Sequence, residues 1–570
     1  MWQTIMHHMP KWNMIAEAVW LTLFPLLIWQ VFQQIQAWDG RHSRRKQRME
    51  EVQKQPSAYP DADRQDTETG DGEAGEEGLS FTMDHLLNLG KFRASARDMQ
   101  DINEKTIYLQ NLNVKAVLFF IDGLTDKSGL DENVIKPLLD WGSAPLDSER
   151  FAADRTLEDF LMQQLLPIAE IEWVADVKQA LRKVLFGSVM LLVDGAPGGI
   201  VLGISGGKSR SVEEPVSESV LRGPRLGFTE VLSDNTAMLR RHGESASLSM
   251  ISYKVGTRVE KELMVVYFKD IANPGLVEEV KRRVGTIEVD EVMEAGYVEQ
   301  LIEDNFLSPF AQIQSTERPD RVMGALLEGR VAILLDGSPY ALLMPVTYGM
   351  MLQSPEDYYE RWLPSSLIRI LRFVATLISL FAPAVYISFI SFHPGLIPTK
   401  LVVSIIGTRQ GVPFSTLIEA MIMEVAIEML REAGLRLPKP IGPAMGIVGG
   451  LIIGQAAVNA GIVSPILVIV VAVTAISSFA TPMYSAGISM RLLRFPIMFS
   501  AAIFGLYGVI MSFLFLTIHM LKLKSFGIPY VTMAVPQSLK DWKDYLIRAP
   551  LQFMKSRPNV LKTKDPKRSD

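Results

Sequence analysis

The sequence predicts a multi-domain membrane protein, with two related α/β soluble subdomains followed by an all-α transmembrane domain. Three observations carry that prediction. Residues 441–520 are almost free of charge and hold three long apolar segments, 441–463, 464–484 and 496–520. Apolar residues concentrate after Leu367, and charges before it. Ahead of that divide, an apolar strand that ends in an Asp turn and enters a helix occurs twice. About 20 predominantly apolar residues cross a bilayer as a helix. Each segment reaches that length, with Arg491, Arg494, Lys522 and Lys524 at the ends rather than inside. Buried core helices of a large soluble protein are the competing explanation. At 570 residues the chain exceeds one ordinary domain. It has no cysteine, which excludes disulfides and thiolate metal sites. A net charge of −6 argues against a dedicated nucleic-acid binder.

Residues 1–50 form a hydrophobic segment with a basic flank. Residues 14–32 are apolar and aromatic, interrupted by Glu17 and Pro25, and Arg41, His42, Arg44, Arg45, Lys46 and Arg48 follow. A cleaved signal peptide carries its positive charge before the apolar run. The order here predicts a membrane anchor with its basic flank in the cytoplasm, or an interfacial helix, since Glu17 and Pro25 weaken a span. Residues 51–90 form an acidic disordered tether. Asp61, Asp63, Asp66, Glu68, Asp71, Glu73, Glu76 and Glu77 repel one another there, and little can be buried.

The first α/β subdomain is placed at 95–210, a linker at 211–245 and the second subdomain at 246–360. In the first, VLFFIDGLTD (117–126) precedes a helical stretch at 132–139; in the second, MVVYFKDIAN (264–273) precedes one at 276–283. A further strand closed by an Asp-Gly turn occurs in VLFGSVMLLVDGAP (184–197) and again in LEGRVAILLDGSP (327–339). Glycine accepts the positive φ such a turn needs. The Asp spacings are 194 − 122 = 72 and 336 − 270 = 66, so the two halves read as one repeated unit. The join at 205–230 is rich in Gly, Pro and charge.

The transmembrane helical domain is placed at 366–525. A charged collar at 356–372 precedes a first span at 373–392. Residues 401–430 open apolar, break at Arg409-Gln410-Gly411-Val412-Pro413 and resume as an amphipathic helix, followed by a basic loop at 431–439. If 401–430 crosses, the loops at Arg431 and Arg491 fall inside and the basic C-terminal tail, 526–570, falls outside. If it is re-entrant or lies on the surface, the tail is inside and Arg491 outside. The second arrangement is preferred, because a broken helix is tolerated at membrane depth where protein covers it or where it lines a cavity.

Few motifs carry chemistry. Gly203-Ile204-Ser205-Gly206-Gly207 matches G-x-S-x-G, but no apolar helix follows it, so a loop is the better reading. Gly207-Lys208-Ser209 lacks the earlier glycine of a phosphate loop, since Leu202 stands there. The seven histidines show no metal-binding spacing, so no catalytic, metal or cofactor site is assigned. Gly446, Gly450 and Gly454 recur every fourth residue, a small-residue stripe that lets helix backbones approach. Val448 and Ile452 lie close to the opposite face. In a ring of identical subunits they would line an apolar constriction that gates by dewetting; ordinary helix packing with no pore explains the stripe equally well. Glu419, Glu424 and Glu428 form the other candidate set. They are either an acidic lining selective for cations or the water-facing side of an interfacial helix.

Six runs of text resemble the GerA family, which supplies the A subunit of bacterial spore germinant receptors. They are RSVEEPVSESVLRGPRLGFTE (210–230), SPFAQIQSTERPDRVMGALLEGRVAILLDGSP (308–339), QSPEDYYERW (353–362), REAGLRLPKPIG (431–442), GQAAVNAGIVSP (454–465) and RLLRFP (491–496). The resemblance covers 106–535 and leaves the extension 1–89 outside the usual pattern. It implies a non-enzymatic integral protein of the spore inner membrane, with its two soluble subdomains on the core side. It implies a B-type permease-like subunit and a C-type lipoprotein as partners, nutrients sensed by the B subunit, and assembly into a homo-oligomeric ligand-gated cation channel. The family also holds an accessory homologue of the A subunit. The competing functions are a secondary transporter, which would show paired broken membrane helices, and a non-conducting scaffold.

Overall fold

The computed structural model describes residues 80–568, apart from 110–113, 144–159, 207–213, 216, 243–244, 437–441, 532–543 and 546. All of these belong to one compact unit, Glu76–Asp570. The expected N-terminal segment at 1–50 and the tether as far as 79 lie outside the described residues. The tether reading ran to 90. Helix α1 (His85–Ser95) already occupies its end, capped by the Asp84 carboxylate, which accepts from the amides of Leu86 and Leu87.

The first sheet contains β1 (Ile102–Leu109), β2 (Val114–Ile121), β3 (Ile171–Val174), β4 (Val189–Val193) and β5 (Gly199–Leu202), in the order β1-β2-β4-β5-β3. The second contains β6 (Leu248–Val255), β7 (Lys261–Phe268), β8 (Gln314–Thr316), β9 (Val331–Leu335) and β10 (Ala341–Met344), in the order β6-β7-β9-β10-β8. Every pairing is antiparallel, and the two orders correspond strand for strand. The repeated text therefore folds as a repeated topology. Both Asp-Gly turns take positive φ at glycine, +88° at Gly195 and +81° at Gly337.

Each sheet is covered on both faces, which is why β4 and β9 are apolar and buried at every position. In the first subdomain, α2 (residues 127–143, with a π-helical stretch at Asp131–Ile135) packs Leu130, Val134 and Leu138 on one face. On the other, α3 (Val177–Leu185) packs Val177, Leu181 and Val184 beside Phe92 of α1. The helix expected at 132–139 is thus the later part of α2. Helix α4 (Leu232–His242) lies inside the stretch read as a linker, 211–245. It is not loop, because it fills the junction of the two subdomains. Ala237 enters the first core while Leu232, Met238 and Leu239 enter the second. Arg240 on α4 makes paired hydrogen bonds of 2.7 and 2.8 Å to Asp101, both side chains almost fully buried. In the second subdomain α5 (Pro274–Val284) and α6 (Ala295–Ile302) cover one face, and α7 (Pro319–Leu327) joins α4 on the other.

The C-terminal half is helical: α8 (Trp362–Ser391), α9 (Thr399–Arg409), α10 (Thr416–Arg436), α11 (Gly442–Asn459), α12 (Pro465–Phe479), α13 (Tyr484–Phe504) and α14 (Leu506–Lys522). Among the described residues two helices, α8 and α13, are long and apolar enough to cross a membrane; α12 and α14 are shorter apolar helices. Helix α8 is the central element, with Thr376, Ser379, Leu380, Ala384 and Ile387 buried against α10, α12 and α13.

Several boundaries of the helical half differ from the sequence expectation: the first span, expected from 373, begins at Trp362 inside the stretch read as the collar. The segment 496–520 is not one helix. It breaks at Gly505, with φ +59° and ψ −139°, into the antiparallel pair α13 and α14. Glycine alone takes that conformation readily, and a Cβ there would stand 2.9 Å from the Phe392 ring. Beside the break the helices cross so closely that a Cβ on Gly508 would overlap the Ser500 carbonyl. Residues 485–495 are also helical, so Arg491 and Arg494 sit within α13 rather than in a loop between spans.

Contacts fix which end of each helix lies toward the α/β half. Ser489, near the start of α13, donates to the Pro309 carbonyl, and Ser308 lies 2.9 Å from His519 near the end of α14. At the opposite end Gly505 meets Phe392 and His393, Tyr386 bonds Ser464 at 3.0 Å, and Ser391 bonds Thr416 at 3.3 Å. Helices α8 and α10 to α14 thus alternate in direction, and α9 stays at the distant end. Arg491 lies on the subdomain side together with the tail, unlike in the arrangement the sequence favoured. The difference has two causes: α10 runs from the distant end of the bundle to the subdomain end, which returns Arg491 to the subdomain side, and the break at Gly505 then returns the tail.

Candidate functional site: a charged seam inside the helical bundle

Helix α10 carries Glu419, Glu424 and Glu428 across nine residue steps, roughly 14 Å of helix at 1.5 Å per residue. Each carboxylate meets an arginine of the same chain. Glu419 is fully buried at the distant end; it accepts from Arg409 of α9 at 2.7 Å and from the Ser464 amide at 3.1 Å. Glu424 pairs with Arg494 of α13, and both side chains are 3% exposed. Arg494 also donates to the Ser379 carbonyl at 2.8 Å and the Ser379 hydroxyl at 3.2 Å, tying α8 into the same contact. Glu428, toward the subdomains, lies 3.2 Å from Arg491 and 3.6 Å from Arg431. Arg431 donates to Ser478 of α12 at 2.8 Å and stacks 4.6 Å over the Phe479 ring.

The three glutamates therefore form a ladder of ion pairs that joins α10 to α8, α9, α12 and α13. Glu419 and Glu424 face neither water nor an open channel, and lining a pore with them would require their arginine pairs to open. Their low exposure makes the pairing obligatory, because an isolated charge in such surroundings is very costly. Glu424 keeps one oxygen, Oε1, without a hydrogen-bond partner among the described residues. Sequence reasoning missed Arg409, Arg491 and Arg494 as partners, having assigned the last two to helix ends. The usable signal was spacing: Glu424 and Glu428 lie four apart, and Arg491 and Arg494 three apart, so each pair shares one helix face.

Helix α11 holds the other candidates. Ile452 is 59% exposed and Gly450 has open space beside it. A Cβ on Gly454 would touch Val468 of α12 at 3.5 Å, and one on Gly449 would press on Leu430 of α10 at 2.9 Å. The tight backbone approach thus belongs to Gly449 and Gly454 rather than to Gly450. The surroundings of Gly446 and Val448 lie outside the described residues. Ser205, in the G-x-S-x-G text, forms a β-bridge with Thr125 and enters no helix. Among the described residues no cluster of His, Asp and Glu is placed to hold a metal ion.

Where the bundle meets the second subdomain, the collar and tail close into a second buried network. Arg372 grips Asp357 at 2.7 and 2.8 Å. Arg369 reaches Asp544 at 2.9 Å, and the Tyr358 hydroxyl donates to the other Asp544 oxygen at 2.7 Å. Burial, followed by the Asp544 charge, raises the Tyr358 phenol well above its ordinary range. Beyond it the tail runs over the second subdomain, where Arg557 donates to the Leu327 carbonyl at 2.8 Å and the Lys564 amide to Ile271 at 2.9 Å. The described part of the segment expected as a basic tail is thus strapped to the second subdomain.

Residues 91–560 match the model of the Bacillus/Clostridium GerA spore germination protein family. Spore germination protein GerLA of Bacillus cereus is 42% identical over 465 residues, 82% of this chain and 93% of that one. Spore germination protein B1 of Bacillus subtilis (strain 168) is 43% identical over 480 residues, 84% of this chain and 98% of that one. The solved N-terminal domain of the A subunit of the Bacillus megaterium spore germinant receptor GerK3 is similar at 27% identity with a TM-score of 0.36. That match covers 47% of this chain and 97% of that one.

Proposed function

The chain belongs to the GerA family of spore germination proteins, and from that premise we propose that it is the A-type subunit of a nutrient germinant receptor. In this proposal it sits in the spore inner membrane beside a B-type permease-like subunit and a C-type lipoprotein, and forms a homo-oligomeric, ligand-gated cation channel without enzymatic activity. The observation that carries the assignment is the family match along 91–560, which spans both the repeated α/β half and the helical half.

The helical half then crosses the membrane six times, through α8 and α10 to α14, with α9 on the outer surface. Two features support this. The alternation of the helices, completed by the break at Gly505, brings the charged end of α10, the arginines of α13 and the basic tail to one side, as the positive-inside rule requires. The charges within the bundle are paired with one another, which is how ionisable groups are tolerated at membrane depth. The α/β subdomains share that basic side and face the spore core.

The intrachain pairing of Glu419 and Glu424 moves the conducting role to α11. That helix turns Ile452 away from its own bundle beside the open Gly450, an arrangement that suits a pore lined by several copies. Val448 belongs to the same proposed constriction. The test is a spore strain lacking the gene and complemented with wild type or Ile452→Ser. Deletion is expected to abolish cation release and germination in response to one nutrient class. Ile452→Ser is expected to assemble normally and leak cations without nutrient. An assembled variant that retains ions like wild type removes α11 from the pore, and an unchanged deletion strain removes the receptor assignment.

A further inference from the structure

The second subdomain presents an apolar edge that its own core does not use. Helix α6 buries Ala295, Val298 and Ile302 and leaves Tyr297 and Leu301 exposed on the other side; Met293, one turn earlier, extends the stripe. The loop that follows adds Phe306 and Leu307, 56% and 59% exposed. Two adjacent large apolar side chains at a loop tip are seldom left in water without a use. This loop is held firmly. Gln312 accepts from the Asn305 amide at 2.9 Å and donates to its carbonyl at 2.6 Å, while Asp304 takes a 2.7 Å bond from Arg283.

Its position identifies what covers it. Ser308 contacts His519, and the Phe310 ring stacks on that imidazole at 5.9 Å. His519 stands about one turn inside the end of α14 at Lys522. Phe306 and Leu307 are two residues and one residue from Ser308, within about 7 Å of chain. They therefore lie level with the last turns of α14, whose own outward residues there, Phe515, Ile518 and Leu521, are exposed and apolar. Lys522 and Lys524 flank that level and are exposed, where anionic headgroups would meet them.

We infer that the Phe306–Leu307 tip and the Met293/Tyr297/Leu301 stripe dip into the acyl–headgroup boundary of the membrane on the subdomain side and seat the second subdomain on the lipid surface. This rests on the reading that the bundle spans the membrane. Loop and bundle then share one apolar belt, with Tyr297 in the interfacial place that aromatic rings favour.

The chain lacks cysteine, so single substitutions give clean spin-labelling sites. Phe306→Cys, Leu307→Cys, Phe515→Cys and Leu221→Cys in the full chain would each carry a nitroxide, in vesicles of phosphatidylethanolamine and phosphatidylglycerol. Collision with oxygen and with a water-soluble nickel complex would be measured at each. The inference expects 306 and 307 to resemble 515, favouring oxygen and protected from nickel, while 221 in the linker favours nickel. Nickel access at 306 and 307 with protection at 515 overturns the inference and leaves the spanning bundle intact. Nickel access at 515 overturns the bundle reading and the inference with it. Protection of 306 and 307 from both reagents, with spin–spin broadening, assigns the patch to a second copy of the chain and also overturns the inference.

Discussion

Arg494 and Glu424 illustrate how a single position controls the bundle. With both side chains 3% exposed, removing the cation leaves a carboxylate without its counter-charge among α8, α10 and α13. Breaking a buried pair from one side costs about 3–5 kcal/mol, whereas replacing both members with apolar groups of similar size is often neutral. Arg494→Met is therefore expected to lower the thermal midpoint of the detergent-solubilised protein sharply. Adding Glu424→Leu to it should restore most of the loss. A second titratable position lies in the α/β half. Burial, with Glu303 and Glu294 nearby, raises the Glu299 carboxyl from 4.5 to about 7. The folded state thus holds a proton that the unfolded chain releases, so stability falls as pH rises from 4.5 through 7. Glu299→Gln should flatten that slope and stabilise the protein at pH 8 by roughly 1–3 kcal/mol, at 1.36 kcal/mol per pKa unit. At pH 4 it should change little. A pH series of melting midpoints for wild type and variant reads both effects.

At the scale of elements, what the sequence displayed and what it concealed have separate physical causes. Strands buried on both faces and closed by Asp-Gly, such as β4 and β9, announce themselves, because burial demands continuous apolar text and the turn demands glycine. The edge strand β1 does not. Its INEKTIYL run is exposed along most of its length, and only pairing with β2 makes it a strand. Helix α4 was concealed by the charges around it, since its role is to bridge two cores rather than to complete one. The hairpin of α13 and α14 was concealed for the opposite reason: Gly505 is one glycine in unbroken apolar text, and composition cannot tell a turn from a packing residue there. The charged seam was half legible, in that the glutamates stood out while their partners read as flanks. Backbone geometry gives the corresponding prediction. Gly505→Ala forces a Cβ into a conformation that costs about 1–3 kcal/mol and against the Phe392 ring, so it should destabilise the bundle. Gly324→Ala on α7 meets nothing within 4 Å and should stabilise the protein by about 0.5–1 kcal/mol. Midpoints for the two variants should move in opposite directions.

For the whole molecule the decisive quantity in the proposed membrane arrangement is the number of crossings, because it sets which surfaces would share a compartment. Five crossings would put the tail opposite the subdomains. Six, as proposed, would put it on their side, and only the latter agrees with a tail that bonds to Leu327 and Ile271 of the second subdomain. Absence of cysteine again makes the test direct. His393→Cys and Gly395→Cys mark the distant end of the bundle, Leu435→Cys the subdomain end of α10, and Lys562→Cys the tail. In intact protoplasts a membrane-impermeant maleimide should label 393 and 395 and leave 435 and 562 untouched until the membrane is opened. Labelling of 562 from outside would require the tail to leave the second subdomain. Labelling of 435 from outside would return α10 to the re-entrant arrangement and with it the count of five. Placement of 393 and 435 on opposite sides, with 435 and 562 together, would mean that the ion-pair ladder along α10 runs through the thickness of the membrane. Any movement of α10 against α13 would then be felt at both surfaces.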